Sequence, residues 1–314
     1  MGQHVNPLGG SLMGLAFLCP GQGSQKVGMG QDLFENSNLA KSHFETANEI
    51  LGVDIQDIMF NGPDETLKQT QYTQPALYIV SVIIGSLLTD KGLKPISAAG
   101  HSLGEYSAYT LAGAFDFETG LKLVKVRANS MQKSGEDQPG TMAAIIGLED
   151  DEVQNITDKI SGIVVAANFN SPGQVVISGE IDAVNSAMTA AKENGARMVI
   201  PLNVSGAFHS PLMTSAREQL AEMINSIEIR DSMIPVYSNV SADPITQTND
   251  IKHAMISQLE NPVLWSQTIL NMTQNGIDHF MEVGTGRVLQ GLCKRINRSL
   301  TTNGVENWEQ IGNA

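Results

Sequence analysis

The run Gly100-His101-Ser102-Leu103-Gly104 constrains this chain more than any other segment. It follows a short apolar stretch, 95–100, that reads as a strand, and it precedes a helical pattern over 103–112. G-x-S-x-G at a strand-to-helix junction marks a turn so tight that side chains beside the serine would clash. The serine is then exposed at the top of an α/β sheet. The pattern is also cheap, and an ordinary serine in a βα turn stays open on the motif alone.

The surrounding rhythm supports the sheet. A strand over 14–19 breaks at Pro20 into the loop Pro20-Gly-Gln-Gly-Ser-Gln25. Phe44, Ala47, Ile50 and Leu51 fall at helical spacing, and further helices are expected over 74–91 and 117–133. Alternating strands and helices of this kind specify a parallel sheet. The polar run 134–140 then reads as a boundary. Beyond it come a strand (141–148), a helix (149–160), two strands (163–169 and 174–178), a helix (182–194) and a strand (196–203). This β-α-β-β-α-β order is the ferredoxin-like pattern. The expected architecture is an α/β-hydrolase-like large domain (14–137 and 206–314) with an inserted ferredoxin-like small domain (138–205). Residues 1–13 carry no pattern and are expected to be a disordered leader or tag remnant.

Composition excludes several function classes. Nineteen Lys and Arg against 33 Asp and Glu give a net charge of −14, which disfavours wholesale binding to nucleic acid or an anionic membrane. Two cysteines, Cys19 and Cys293, form neither a disulfide framework nor a metal-binding spacing. The start lacks a signal-peptide pattern, and the apolar stretch 76–88 is short for a membrane span and reads as a core helix. The expectation is a cytoplasmic protein, monomeric, with no metal and no cofactor.

A serine hydroxyl needs a base to become a nucleophile. Of the six histidines, His4 lies in the patternless leader, His43 mid-helix on a solvated face, and His253 and His279 without an accompanying motif. His101 flanks Ser102 but is expected to point elsewhere. His209 sits in Ser205-Gly-Ala-Phe-His-Ser-Pro211, where the chain re-enters the large domain, and combined with the serine motif it becomes the candidate base. An acyl transfer also needs donors for the oxyanion. The N–H of Leu103 follows the nucleophile, and the loop after the first strand can offer that of Gln22. A phosphate cradle is the rival reading of that loop, but no G-K-[ST] follows and G-x-G-x-x-G is incomplete.

Taken together, these residues resemble the malonyl-CoA:acyl carrier protein transacylases of bacterial type II fatty acid synthesis. The likeness runs from Phe17 to about Arg295. It rests on PGQGSQ (20–25), GHSLGEYSA (100–108), Val126-Arg127, GTMAAIIGL (140–148) and NFNSPGQVVISG (168–179), then on SGAFHSPLM (205–213), QLENPVLW (258–265) and EVGTGRVLQGL (282–292). The resemblance implies Ser102 as nucleophile, His209 as base, and Gln22 and Leu103 as the oxyanion hole. It implies that Arg127 grips the free carboxylate of the malonyl group, a role suited to a guanidinium fork. It also implies that a backbone carbonyl near Gln258 orients the histidine in a Ser–His dyad, with Gln258 counted among the substrate-cleft residues. Phe208 resembles the bulky residue that disfavours a C2 branch, and for Asn168 and Asn170 two readings stay open, ordinary turn residues or lining of the cleft.

The implied partners are malonyl-CoA and an acidic acyl carrier protein. Arg287, Lys294, Arg295 and Arg298, with no acidic residue among them, form the candidate docking patch for carrier and CoA phosphates. A solvated helix face is the equal alternative. Three other functions stay open: a serine thioesterase or hydrolase, a polyketide-type acyltransferase with another extender, and a catalytically silent carrier-binding module.

Overall fold

Leu15-Ala-Phe-Leu-Cys19 is buried at every residue, as a strand covered on both faces must be. This strand, β1 (Leu15–Cys19), begins the computed structural model, which describes residues 14–314; the expected leader 1–13 lies outside the described residues. β2 (Ser97–Gly100) follows a long helical stretch. β3 (Gly140–Ile146), β4 (Val164–Ser171), β5 (Gln174–Glu180) and β6 (Met198–Pro201) come next. β7 (Val236–Tyr237), β8 (Pro244–Ile245), β9 (His279–Val283) and β10 (Thr301–Val305) complete the set.

The first sheet has the order β10-β9-β1-β2-β7-β8 and is parallel except for the edge strand β8. The second is antiparallel, with the order β4-β5-β3-β6. Numbered within its own segment, that order is 2-3-1-4, which is the ferredoxin-like arrangement. A helix over Asp150–Thr157 and another over Ile181–Glu193 accompany this sheet, and all four of its strands fall between residues 138 and 205.

The helix Thr70–Asp90 is buried almost all round, from Thr73 through Gly85 without interruption. It begins four residues before the expected start, because Pro75 sits early enough to leave the first turn intact. At 21 residues it is long and apolar enough to cross a membrane, yet 78% of its most apolar window is buried inside the protein. It is a core helix.

The helix expected over 117–133 runs to Asp137. Tertiary packing overrides the polar composition there. Ser134 meets Ser215 at 2.7 Å, and a Cβ on Gly135 would stand 1.9 Å from the Ser205 carbonyl oxygen. The expected boundary loop therefore shrinks to Gln138 and Pro139. His43, expected on a solvated face, instead stacks on Phe117 at 3.9 Å, which pushes its pKa down through burial.

Register in the first sheet sets the site. Cys19 pairs with Gly100, so the loop after β1 and the turn after β2 leave the sheet side by side at its carboxyl edge. The helix Gly104–Leu111 then packs onto both strand ends. A Cβ on Gly100 would lie 1.9 Å from the Gly104 carbonyl carbon, and one on Gly104 would lie 2.0 Å from the Cys19 oxygen. The two outer glycines of the motif are thus steric necessities of this crossing.

Candidate active site

Ser102 and His209 are two of the three non-glycine residues with positive φ among the described residues, at 51° and 57°. Such backbone is sparsely populated by L-residues and persists where its surroundings over-determine it. At Ser102 the determinant is Asn239. Its side-chain oxygen accepts from the Ser102 N–H at 2.7 Å, and its amide donates to the Gly100 carbonyl at 2.7 Å. Asn239 is fully buried and staples both sides of the turn.

His209 Nε2 lies 2.8 Å from Ser102 Oγ, and Nδ1 lies 2.9 Å from the Gln258 carbonyl oxygen. That carbonyl can only accept, so Nδ1 carries the proton and the Nε2 lone pair faces the serine. This is the tautomer a base requires. Burial first, and the Arg127 charge second, hold the His209 pKa down to about 3. The imidazole is therefore neutral across the neutral pH range. Nuclear magnetic resonance of the labelled ring should show an unprotonated Nε2 from pH 8 to below 5, with no titration near the ordinary value of about 6.5. Below that ordinary value the unfolded chain binds a proton that the folded one refuses, so this residue also lowers stability as pH falls towards 3.

Arg127 projects from the helix Phe117–Asp137 and is fully buried. Its Nη1 donates to Gln74 Oε1 at 2.6 Å, and its Nη2 to Gln258 Oε1 at 2.8 Å and to Ser102 Oγ at 3.0 Å. The Tyr106 ring lies 5.3 Å from the guanidinium carbon. Arg127 forms no ion pair with a carboxylate among the described residues. The Glu105 carboxyl reaches it only through Gln258, and a buried cation so weakly paired gains from an anionic ligand. The cation touches Ser102 Oγ itself, so an anion held there would lie beside that hydroxyl.

A cavity of about 110 Å3 collects these groups. Gln22, Ser102, Leu103, Arg127, Phe208 and His209 all line it, each one a residue singled out from the sequence. The N–H groups of Gln22 and Leu103 donate to no other group among the described residues, so both are available to an oxyanion. Gln258 is placed differently from the expectation. It sits behind Arg127 rather than in the cavity wall, because its side chain is spent on Arg127, Glu105 and the Ser102 carbonyl. His101, expected to point away, also lines the cavity; its Nε2 lies 2.8 Å from Asn170 Oδ1 on β4 and its ring rests against Trp265. A larger surface depression, about 570 Å3, opens beside Phe169, Leu264 and Leu270 and holds none of the nucleophile, base or cation.

The four cations expected to dock carrier and CoA lie outside this cavity. Arg287, Lys294, Arg295 and Arg298 are exposed, on and beside the helix Val288–Ile296. Two are partly committed within the protein: Lys294 donates to the Leu300 carbonyl, and Arg295 to Gln174 Oε1 at 2.5 Å. Sequence reasoning missed Gln74, Glu105 and Asn239. Glu105 follows the serine motif directly, and its place on the inner face of a buried helix was the only available signal.

A hydroxyl, a histidine whose free lone pair faces it, two N–H donors without a partner among the described residues and a cation touching the hydroxyl form a constellation suited to acyl transfer. The acyl transferase domain family matches residues 16–313. The malonyl CoA-acyl carrier protein transacylase of Bacillus subtilis is 43% identical over 300 residues, covering 95% of each chain. A solved acyl carrier protein S-malonyltransferase of Vibrio cholerae superposes with a TM-score of 0.91 at 42% identity, covering 95% of this chain and 99% of that one. A malonyl-transacylase in complex with a type II polyketide acyl-carrier protein superposes at 0.92 with 39% identity, over 96% and 98% of the two chains. The chain belongs to the malonyl-CoA:acyl carrier protein transacylase family.

Proposed function

We propose that this protein moves a malonyl group from malonyl-CoA to the phosphopantetheine thiol of acyl carrier protein, for fatty acid synthesis, through a malonyl-serine ester. The carrying observation is the buried Arg127, in direct contact with no carboxylate among the described residues and 3.0 Å from Ser102 Oγ. In a malonyl thioester the free carboxylate stands one methylene from the reacting carbonyl, so a cation in contact with the nucleophile suits its reach. A plain thioesterase or hydrolase has no use for such a cation.

In this reading Ser102 Oγ attacks the thioester carbonyl while His209 Nε2 takes its proton. The resulting oxyanion accepts from the N–H groups of Gln22 and Leu103. Collapse breaks the carbon–sulfur bond, and the departing CoA thiolate receives the proton from His209. The pantetheine thiol then gives its proton to His209 and attacks the ester carbonyl; collapse breaks the bond to Ser102 Oγ, which takes that proton from His209 as the malonyl thioester of the carrier leaves. Asn168 and the apolar wall of Met131, Leu202 and Val204 narrow the space around the ester, which disfavours water as the acceptor. Phe208, in the same wall, would crowd a substituent on the malonyl C2.

The test is intact-protein mass spectrometry after mixing with malonyl-CoA, acetyl-CoA or methylmalonyl-CoA. A malonyl adduct that discharges on carrier protein is expected; its absence refutes the reading. We also place carrier docking on the exposed cations of 287–298. Reversing Lys294 and Arg295 to glutamate should raise KM for carrier protein about tenfold, with little change for a small pantetheine thiol. Equal effects on both acceptors would remove the docking assignment.

A further inference from the structure

Glu105 is fully buried in the first turn of the helix Gly104–Leu111 and makes no ion pair among the described residues. Nothing in the reaction above uses it. Its Oε2 accepts from Gln258 Nε2 at 2.6 Å and from the Asn239 N–H at 3.3 Å, and its Oε1 accepts from the Tyr109 hydroxyl at 2.9 Å. Buried carboxyl groups need such partners, and this one meets the two residues that brace the active site.

Gln258 is the junction. Its Nε2 also donates to the Ser102 carbonyl at 3.0 Å, its Oε1 accepts from Arg127 at 2.8 Å, and its backbone carbonyl faces His209. A side-chain amide can sit either way round. Here two oxygens face its nitrogen, and a guanidinium N–H faces its oxygen. Reversal would set N–H against N–H at Arg127 and oxygen against oxygen at Glu105. Glu105 provides the shorter of the two contacts that fix the orientation.

We propose that Glu105 is a positioning residue that, through Gln258, holds the Arg127 guanidinium beside Ser102 and so sets the preference for acyl groups bearing a carboxylate. The proposal rests on the reading of Arg127 as the carboxylate grip. Burial raises the Glu105 pKa to about 7, an effect that its hydrogen bonds and Arg127 only partly counter. A proton on Oε1 would be donated in a hydrogen bond to the Tyr109 hydroxyl oxygen, so Oε2 accepts from Gln258 in either protonation state.

The test compares acyl-enzyme formation from malonyl-CoA and acetyl-CoA, with kcat and KM measured separately. In Glu105→Ala the malonyl-to-acetyl ratio of kcat/KM should fall about tenfold or more, chiefly through a higher KM for malonyl-CoA. Glu105→Met fills similar space without an acceptor and carries the same expectation should the alanine variant fail to fold. Glu105→Gln keeps an oxygen for Gln258 and should stay within about threefold of the parent ratio. In an Arg127→Ala background the same Glu105 changes should shift the ratio less than about twofold, because the effect runs through the guanidinium. A folded Glu105→Met protein with the parent ratio, or an equal fall without Arg127, overturns the proposal. If Arg127→Ala alone leaves the ratio unchanged, the underlying reading of Arg127 fails as well; if it lowers the ratio and Glu105→Met does not, only Glu105 is misassigned.

Discussion

Replacing Ser102 by alanine should remove the malonyl adduct altogether and lower transfer to carrier protein by about a thousandfold or more. Among the described residues no other hydroxyl is placed to substitute, since the neutral Nε2 of His209 is hydrogen-bonded to Ser102 Oγ at 2.8 Å. The variant should fold, because the features that fix the turn are backbone groups and Asn239, not the serine side chain. The measurement is mass spectrometry of the intact protein beside a steady-state transfer assay. A persistent adduct in Ser102→Ala would move the nucleophile elsewhere in the chain. A matching loss is expected for His209→Ala, and the two changes together should cost no more than either alone, as for residues that act as one unit.

The second large effect belongs to Arg127. Arg127→Ala should reduce kcat/KM for malonyl-CoA by about a hundredfold to ten-thousandfold, the worth of two charge-assisted hydrogen bonds at ~1.5–3 kcal/mol each. Acetyl-CoA, which has no carboxylate to lose, should be affected far less, so the preference collapses. The same change removes one of the two main causes that depress the His209 pKa. Burial remains the larger cause, so the His209 titration should rise only part of the way towards its ordinary value. Unaltered selectivity between malonyl-CoA and acetyl-CoA in this variant would return the site to a general acyltransferase or hydrolase.

Much of the site was legible in the sequence because its parts are local. The serine turn announces itself through two glycines that no other residue can replace, and the oxyanion loop follows a strand at a proline. His209 and Arg127 needed the company of those motifs, since a lone histidine or helix arginine carries little information. The braces were not legible. Asn239 meets Ser102 across 137 positions and Gln258 meets Glu105 across 153, and neither spacing leaves a mark on local composition. Gln258 could be placed near His209 but not behind Arg127, because only the packed structure shows which way a buried amide is committed. The end of the helix at Asp137 was hidden for a similar reason: its polar last turn is stabilised by Ser205 and Ser215, residues outside the local window.

The meeting of Gly135 with Ser205 and Gly206 has a mechanical consequence. The segment carrying the second sheet leaves and rejoins the chain at neighbouring points, which anchors it there twice. Met142, Leu202 and Val204 are carried on that segment, while Ser102, Arg127 and His209 belong to the rest of the chain. The His101–Asn170 contact and the backbone hydrogen bonds of Val263 with Ala167 and Phe169 fasten β4 to the rest of the chain at a second place. The apolar wall of the cavity is thus held against the Ser102–His209 pair by two separate fastenings.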